Sequence, residues 1–127
     1  MSQMKPVLTS NAAPPAGPYS QAIVANGLIF VSGQLPADAS GNLIEGSIAD
    51  KTEACCRAIN NILREAGSDI TRCVKVNVFL DDMAHFAEMN SAFERHFTQK
   101  PARACVAVKQ LPKSVPVEIE AIALAGN

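Results

Sequence analysis

The stretch PARACVAVKQLPKSVPVEIEAIAL, residues 101–124, places one arginine and two glutamates inside otherwise apolar, strand-like runs. Alternation along a strand puts Arg103 and Cys105 on one face of the first run, and Glu118 and Glu120 on one face of the second. Because a guanidinium stays charged in a protein and an unpaired buried charge is costly, Arg103 needs a carboxylate from the protein or from a ligand. From these residues alone, a buried salt bridge between arginine and glutamate is favoured over a ligand site.

The geometry of a simple hairpin argues against that salt bridge within one chain. If the chain turned at residues 112–115, Arg103 would lie opposite a residue near position 122, about 13 Å along the strand from Glu118. Either the two strands are not neighbours in the sheet, or their charges meet something from another subunit.

Upstream of this stretch, the chain alternates strand-like and helix-like patterns. The runs QAIVA and LIFVSGQL are joined by Asn26-Gly27, which accepts the positive φ values of a type I′ hairpin turn. Apolar residues at helical spacing predict a helix over residues 47–66, ended by Gly67. A β-branched run over residues 70–80 predicts a central strand. Its better-buried face is expected to hold Val74, Val76, Val78 and Leu80.

A second helix is predicted after Asp81 and Asp82, which are candidates for its N-cap. Its inner stripe is Phe86, Met89, Asn90, Phe93 and Phe97. A right-handed crossover through this helix would join strand 70–80 to a parallel strand at 102–108. The element order predicts an α+β fold with two helices on one face of a mixed six-stranded sheet. No helix remains for the opposite sheet face, so another subunit is expected to cover it.

Composition limits the classes of function. The 127 residues fit one domain, residues 1–127, and 48% of them are hydrophobic, which is ample for a core. Only 18% are charged, against about 25% in a typical soluble protein, which indicates surface hidden in a homo-oligomer. A net charge of -1 without a basic, aromatic-interleaved block argues against nucleic-acid or anionic-membrane partners. No targeting or membrane signal is evident, so a cytoplasmic location is expected, with the mitochondrion as the alternative.

The sequence contains no recognisable metal-binding or cofactor motif. The four cysteines form no CxxC pair and are interpreted as reduced, mostly buried thiols. They are Cys55, Cys56, Cys73 and Cys105. For Cys105, inert packing is favoured over a catalytic role. His85 and His96 fall on roughly one face of the second helix pattern, and solvation is favoured over a metal or base role.

Five polar side chains stand out in apolar context: Tyr19, Ser32, Asn90, Arg103 and Glu118. Tyr19 lies in a Pro/Gly-rich loop over residues 10–20, and Ser32 ends the second hairpin strand beside Gly33, where a ligand could come close. For Asn90, a satisfied buried amide between helix and loop is slightly favoured over a functional role.

Five segments carry a resemblance to a known family: GPYSQA at 17–22, VSGQLP at 31–36, the helix with Asn90, PARACV at 101–106 and LPKSVPVEIEAIA at 111–123. Together they resemble the Rid family, the reactive-intermediate deaminases also called YjgF or L-PSP proteins. The similarity covers essentially the whole chain and is greatest to the RidA subgroup, the 2-iminobutanoate/2-iminopropanoate deaminases.

This resemblance implies a chorismate mutase-like fold and a homotrimer with a central barrel, whose active sites lie in clefts between subunits. It implies that Arg103 holds the substrate carboxylate, Glu118 orients the attacking water and Tyr19 closes the cleft. The other ligand contacts it implies are Ser32, Gly33, Asn90 and the backbone of Cys105. The implied substrates are 2-imino acids, which become 2-keto acids and ammonia without metal or cofactor. The short link TQK at 98–100, longer in some family members, bears on the shape of the cleft.

Two other functions stay open at this point. One is an endoribonuclease or translation inhibitor, and the other is a trimeric ligand-binding or chaperone-like protein without chemistry. Phosphodiester cleavage needs a basic groove and an acid–base pair near neutral pKa, whereas this chain is mildly acidic. Salt-dependent RNA binding would support the first function, and keto-acid binding without faster ammonia release would support the second.

Overall fold

The computed structural model describes residues 3–126 and shows an α+β fold, as predicted. Six strands form one mixed sheet and two helices cover one of its faces. The strands are β1 (Lys5–Val7), β2 (Ala22–Ala25), β3 (Leu28–Gln34), β4 (Cys73–Leu80), β5 (Ala102–Ala107) and β6 (Val117–Leu124). The helices are α1 (Ile48–Glu65) and α2 (Phe86–His96). No helix in the described part of the chain is long and apolar enough to cross a membrane.

The strand order in the sheet is β1-β2-β3-β6-β4-β5. Strands β4 and β5 are parallel, as expected for two strands joined through a helix, and the other neighbours are antiparallel. Strand β4 lies between β5 and β6, so the two strands formed by residues 101–124 are not neighbours in the sheet. The sequence left two arrangements open, and the structure shows the one in which the strands that carry Arg103 and Glu118 are not neighbours.

Local signals in the sequence explain the first helix and the hairpin. Ser47 caps α1 in a reciprocal capping box with Asp50, and Gly67 follows the helix with φ of +81°. Asn26 and Gly27 both have positive φ, as a type I′ turn requires. The apolar side of α1 is buried against β3, β6 and α2, which fixes the helix layer on one face of the sheet.

The predicted start of the central strand was wrong by three residues. The Asp69 side chain accepts a hydrogen bond from the backbone of Thr71 at 2.7 Å and caps a single 3-10 turn, so β4 begins only at Cys73. A register shift between Cys73 and Lys75 then exposes Val74 and buries Cys73, which reverses their predicted faces.

The second helix begins later than its predicted N-cap. Asp82 caps a 3-10 turn over Met83–His85, and α2 follows from Phe86. His85 is therefore not on the same helix as His96, contrary to the sequence pattern. His85 lies 3.3 Å from Asp81, and each histidine side chain is about one-third exposed.

The sheet face opposite the helices, here called the open face, is uncovered in the single chain. It carries alternate residues of the strands, including Phe30, Val106 and Leu124, which are 42%, 48% and 42% exposed. At its centre Asn77 donates a hydrogen bond to Glu120 at 2.9 Å. Large apolar side chains at this exposure mark a surface suited to contact with another subunit.

Candidate functional site

Arg103 lies on the edge strand β5, on the sheet face that the helices cover. It pairs with Val76, which is fully buried beneath the helices. Its Nη1 donates a hydrogen bond to Asn90 Oδ1 on α2 at 2.6 Å. Its guanidinium carbon also lies 5.6 Å from the ring centre of Phe86 and 4.8 Å from that of Phe93. An amide and two ring faces therefore orient the guanidinium.

The favoured salt bridge between Arg103 and a glutamate is wrong for the described chain. Among residues 3–126, the ion pairs within 4.0 Å involve other residues, and none includes Arg103. Neutral partners, Asn90 and the two rings, take the place of a carboxylate because β4 separates Arg103 from β6. Arg103 thus retains further donors of its planar fork that no carboxylate among the described residues occupies.

Glu118 lies on the opposite face of the same sheet. It is half-buried and alternates along β6 with Val117 and Ile119, which are fully buried against the helices, so its side chain points to the open face. Burial raises the pKa of the Glu118 carboxyl above its ordinary value, and the neighbouring Glu120 raises it further. A carboxylate with a raised pKa is better suited to accept a proton than an ordinary surface glutamate.

The end of β3 lies directly against Glu118. A Cβ atom built on Gly33 would overlap the Glu118 carboxylate and approach its carboxyl carbon to 2.9 Å. The register of β3 against β6 shifts here, between Val31 and Gln34. The absence of a side chain at Gly33 therefore leaves room for the Glu118 carboxylate against the backbone of β3.

Tyr19 and Ser32 border the same end of the sheet. Tyr19 and Gly33 line a small cavity of about 60 Å³, together with Lys113 and apolar residues of the Pro-rich loop. The Tyr19 hydroxyl accepts a hydrogen bond from the backbone of Ala16 at 3.1 Å, which leaves its own proton free to donate. Ser32 Oγ donates to the carbonyl of Ser20 at 2.7 Å, which fixes the hydroxyl beside the loop.

Cys105 shares the face of Arg103 and pairs with Val78 on β4. Burial raises the pKa of the Cys105 thiol, and Arg103 opposes this effect. Burial raises the pKa of Cys56 and of Cys73 to about 12. All four cysteines are free thiols, and a raised pKa disfavours the thiolate that nucleophilic chemistry needs.

The predicted site residues therefore fall into two half-sites on opposite faces of one sheet. The arginine half-site is Arg103, Asn90 and Cys105, and the glutamate half-site is Glu118, Gly33, Ser32 and Tyr19. The structure unites the members of each half-site and separates the two. The sequence pattern treated Phe86 and Phe93 only as core, although both also orient Arg103. A search for aromatic residues one turn away from Asn90 could have found them.

The fold and its half-sites define a small α+β protein with an oriented arginine on one face of its sheet and a glutamate on the other. A model of the family described as Endoribonuclease L-PSP matches residues 9–125 of the chain. The chain therefore belongs to the L-PSP family, also called the YjgF or Rid family, as its motifs indicated.

Individual relatives agree with this assignment. Protein HMF1 of Saccharomyces cerevisiae is 50% identical over 121 residues, which are 94% of each chain. The mitochondrial protein MMF1 of that yeast is 47% identical over 125 residues, 98% of this chain and 86% of that protein. The crystal structure of yeast Mmf1 matches with a TM-score of 0.94 at 46% identity, over 97% of this chain and 99% of that one. The 2-iminobutanoate/2-iminopropanoate deaminase of Bos taurus is 41% identical over 128 residues, 98% of this chain and 93% of that protein.

Proposed function

We propose that this protein hydrolyses small 2-imino acids, such as 2-iminobutanoate and 2-iminopropanoate, to 2-keto acids and ammonia. The observation that carries the proposal is Arg103, which Asn90 and two rings hold in place without a carboxylate from the described chain. Family membership and the bovine deaminase relative support the same chemistry. The fitting ligand is a small carboxylate, because a planar guanidinium binds a carboxylate through two parallel hydrogen bonds.

In this mechanism Arg103 holds the substrate carboxylate, and the C=N carbon faces a water beside Glu118. The Glu118 carboxylate accepts a proton from the water as its oxygen bonds to that carbon. Glu118 passes this proton to the imine nitrogen, which gives a carbinolamine. The hydroxyl proton of the carbinolamine then moves through Glu118 to the amino group, the C–N bond breaks as the C=O bond forms, and ammonia and a 2-keto acid are released. Such acid–base assistance is typically worth about 10² to 10⁴ in rate. The Tyr19 hydroxyl, whose proton is free, donates to the bound ligand at the mouth of the cleft.

The two half-sites can act on one substrate only if they come from different subunits. Arg103 and Glu118 point from opposite faces of one sheet, so a site within one chain would need a path through its core. We place the arginine half-site of one subunit against the glutamate half-site of the next, in a homotrimer whose open faces pack around a central barrel. The apolar side chains of the open face would be buried in that assembly.

The trimer is testable directly. Size-exclusion chromatography with light scattering is expected to give three times the mass of one chain at micromolar concentration, since a closed cyclic assembly leaves no half-site unmatched. A monomer would contradict the intersubunit site. Replacing Phe30 on the open face by glutamate should dissociate the assembly, because a charge would be buried there.

The activity itself is testable with an imine made in solution. A pyridoxal-phosphate threonine or serine dehydratase releases the 2-imino acid, and ammonia formation is then followed with and without this protein. We expect a faster rise of ammonia that saturates with the protein concentration. Equal rates would contradict the deaminase function and leave a ligand-binding role without chemistry.

Gly33→Ala is expected to lower kcat by about 100-fold while the protein remains folded. The added methyl group would displace the Glu118 side chain, and small misplacements of a reacting group can cost that much. The control is Gly27→Ala, where a Cβ would meet nothing within 4 Å, although its positive φ costs some stability. Imine hydrolysis at the parental rate by Gly33→Ala would show that the position of Glu118 does not matter.

Cys105→Ala is expected to keep most of the hydrolytic activity. Burial raises the pKa of this thiol, which disfavours the reactive thiolate, and the implied ligand contact uses the backbone. Steady-state kinetics on 2-iminobutanoate measure the effect. A folded, trimeric but inactive variant would reveal a role for the sulfur.

The site gives little support to the endoribonuclease activity that the description of the family model names. His85 and His96 lie outside both half-sites, and each is close to a carboxylate, Asp81 and Glu53 respectively. RNA binding that weakens steeply with salt is the observation that would favour that function. For location, we propose the cytoplasm, with the mitochondrion as the alternative because two relatives are named as mitochondrial.

A further inference from the structure

The buried side chain of Gln21 makes all of its hydrogen bonds to the backbone of one loop. It is 1% exposed. Its Oε1 accepts from the backbone of Thr9 at 2.7 Å, and its Nε2 donates to the carbonyls of Thr9 and Ala13 at 3.1 and 3.0 Å. A longer contact of 3.4 Å joins Nε2 to the carbonyl of Ala12. One amide thus satisfies backbone groups of a segment that forms no ladder of its own.

The backbone of Gln21 ties the same residue to the glutamate half-site. Its carbonyl accepts a hydrogen bond from the backbone of Ser32 at 3.0 Å, next to the Ser32 hydroxyl bond to Ser20. Gln21 therefore connects the Pro-rich loop on one side with the end of β3 on the other.

The loop that Gln21 holds forms a wall of the small cavity beside Gly33. Ala13, Gln21, Gly33 and Tyr19 all line this cavity. Among the described residues beyond the loop, two other side chains donate to its backbone: Ser32 Oγ to Ser20 at 2.7 Å, and Asn61 to Asn11 at 3.0 Å on the exposed side. Loss of the Gln21 amide would leave several buried carbonyls without a donor and loosen the wall that carries Tyr19.

We propose that Gln21 is a positioning residue, which fixes the loop with Tyr19 and the Ser32–Gly33 turn relative to Glu118. This inference rests on the proposed imine hydrolysis, whose substrate would lie against that wall. The side-chain amide of Gln21 is bonded to backbone groups of the loop, so its proposed role is not a contact with substrate or water. It acts by holding the two segments that make such contacts.

Tyr19 provides a readout of loop order that needs no substrate. It is the one tyrosine of the chain, which has no tryptophan, so intrinsic tyrosine fluorescence reports on this loop alone. In Gln21→Met the volume is kept and every side-chain hydrogen bond to the loop is lost. We expect acrylamide quenching of Tyr19 to rise by about twofold and kcat/KM for 2-iminobutanoate to fall by about 10- to 100-fold.

The control is Ser68→Ala, which removes a part-buried hydrogen bond from a buried hydroxyl to the carbonyl of Leu124, a residue that belongs to neither half-site. It should lower the melting temperature and leave both quenching and kcat/KM unchanged. Should Gln21→Met behave like this control, Gln21 is only structural and the inference fails. Unchanged quenching with reduced kcat/KM would also overturn it, because the loop would not have moved.

A second variant covers the case in which Gln21→Met does not fold. Gln21→Glu keeps the shape, and burial favours its protonated form, which retains one donor and one acceptor. We expect quenching and kcat/KM between those of the parent and Gln21→Met, and parental values for both would overturn the inference. A parent protein that does not hydrolyse imines would instead remove the proposed function, while the quenching result would still decide whether Gln21 orders the loop.

Discussion

Arg103→Ala is expected to abolish both ligand binding and imine hydrolysis. The substrate carboxylate would lose charge-assisted hydrogen bonds, each worth about 1.5 to 3 kcal/mol, so affinity for 2-ketobutanoate should fall at least about 100-fold. Calorimetry with the keto-acid product measures binding without turnover. Arg103→Lys is not expected to rescue it, because an ammonium cannot form two parallel bonds or stack on Phe86 and Phe93 in the same way.

The control for this variant is Arg95→Ala. Arg95 lies on α2, but it is exposed, pairs with Glu53 at 2.7 Å and belongs to neither half-site. Its loss should leave binding and turnover at parental levels. Parental affinity for 2-ketobutanoate in folded Arg103→Ala would show that the carboxylate binds elsewhere.

Glu118→Gln is expected to keep ligand binding and to slow imine hydrolysis by about 100-fold or more, the effect of losing a general base. Glu120→Gln is the matched control, since Glu120 lies on the same strand and face and is bonded to Asn77. It should retain most activity. The two functional variants must therefore differ in affinity: Arg103→Ala loses the keto acid, and Glu118→Gln still binds it. Parental turnover in Glu118→Gln would reduce Glu118 to a structural carboxylate.

The raised pKa of Glu118 fixes the direction in which stability and activity change with pH. Burial first, and then Glu120, raises the pKa of Glu118 above 4.5 in the folded protein. Its contribution to stability is therefore most favourable below pH 4.5 and declines as pH rises through the raised pKa. Glu118→Gln removes that cost, so its melting temperature at pH 7 should equal or exceed that of the parent. The parental kcat/KM should fall as pH drops through the raised pKa, because the base becomes protonated.

Most of the fold follows from local sequence signals. The Asn26-Gly27 turn, the capping box at Ser47 and the helical spacing of α1 each act within a few residues, so the sequence predicted them correctly. The errors in the predicted starts of β4 and α2 arose where side chains compete with regular structure for backbone hydrogen bonds. Asp69 and Asp82 capture nearby backbone donors and create 3-10 turns that apolar periodicity does not show.

Alternation predicted which of the proposed site residues share a strand face, but not how those faces are arranged in the sheet. Alternation correctly placed Arg103 with Cys105 and Glu118 with Glu120, since strand periodicity is local. Which sheet face each pair occupies depends on the order of the strands. The position of β4 between β5 and β6 is set by contacts between residues far apart in the sequence. The bond from Arg103 to Asn90 likewise joins two elements whose contact no spacing rule gives.

Each active site is proposed to join Arg103 of one subunit to Glu118 of another, and mixed trimers test this pairing. Arg103→Ala and Glu118→Gln subunits, each inactive alone, are unfolded together in equal amounts, refolded and assayed on 2-iminobutanoate. Random assembly of a cyclic trimer should give about a quarter of the sites both native groups, and hence about a quarter of parental activity. If the mixture is no more active than the separate variants, Arg103 and Glu118 do not meet across a subunit interface.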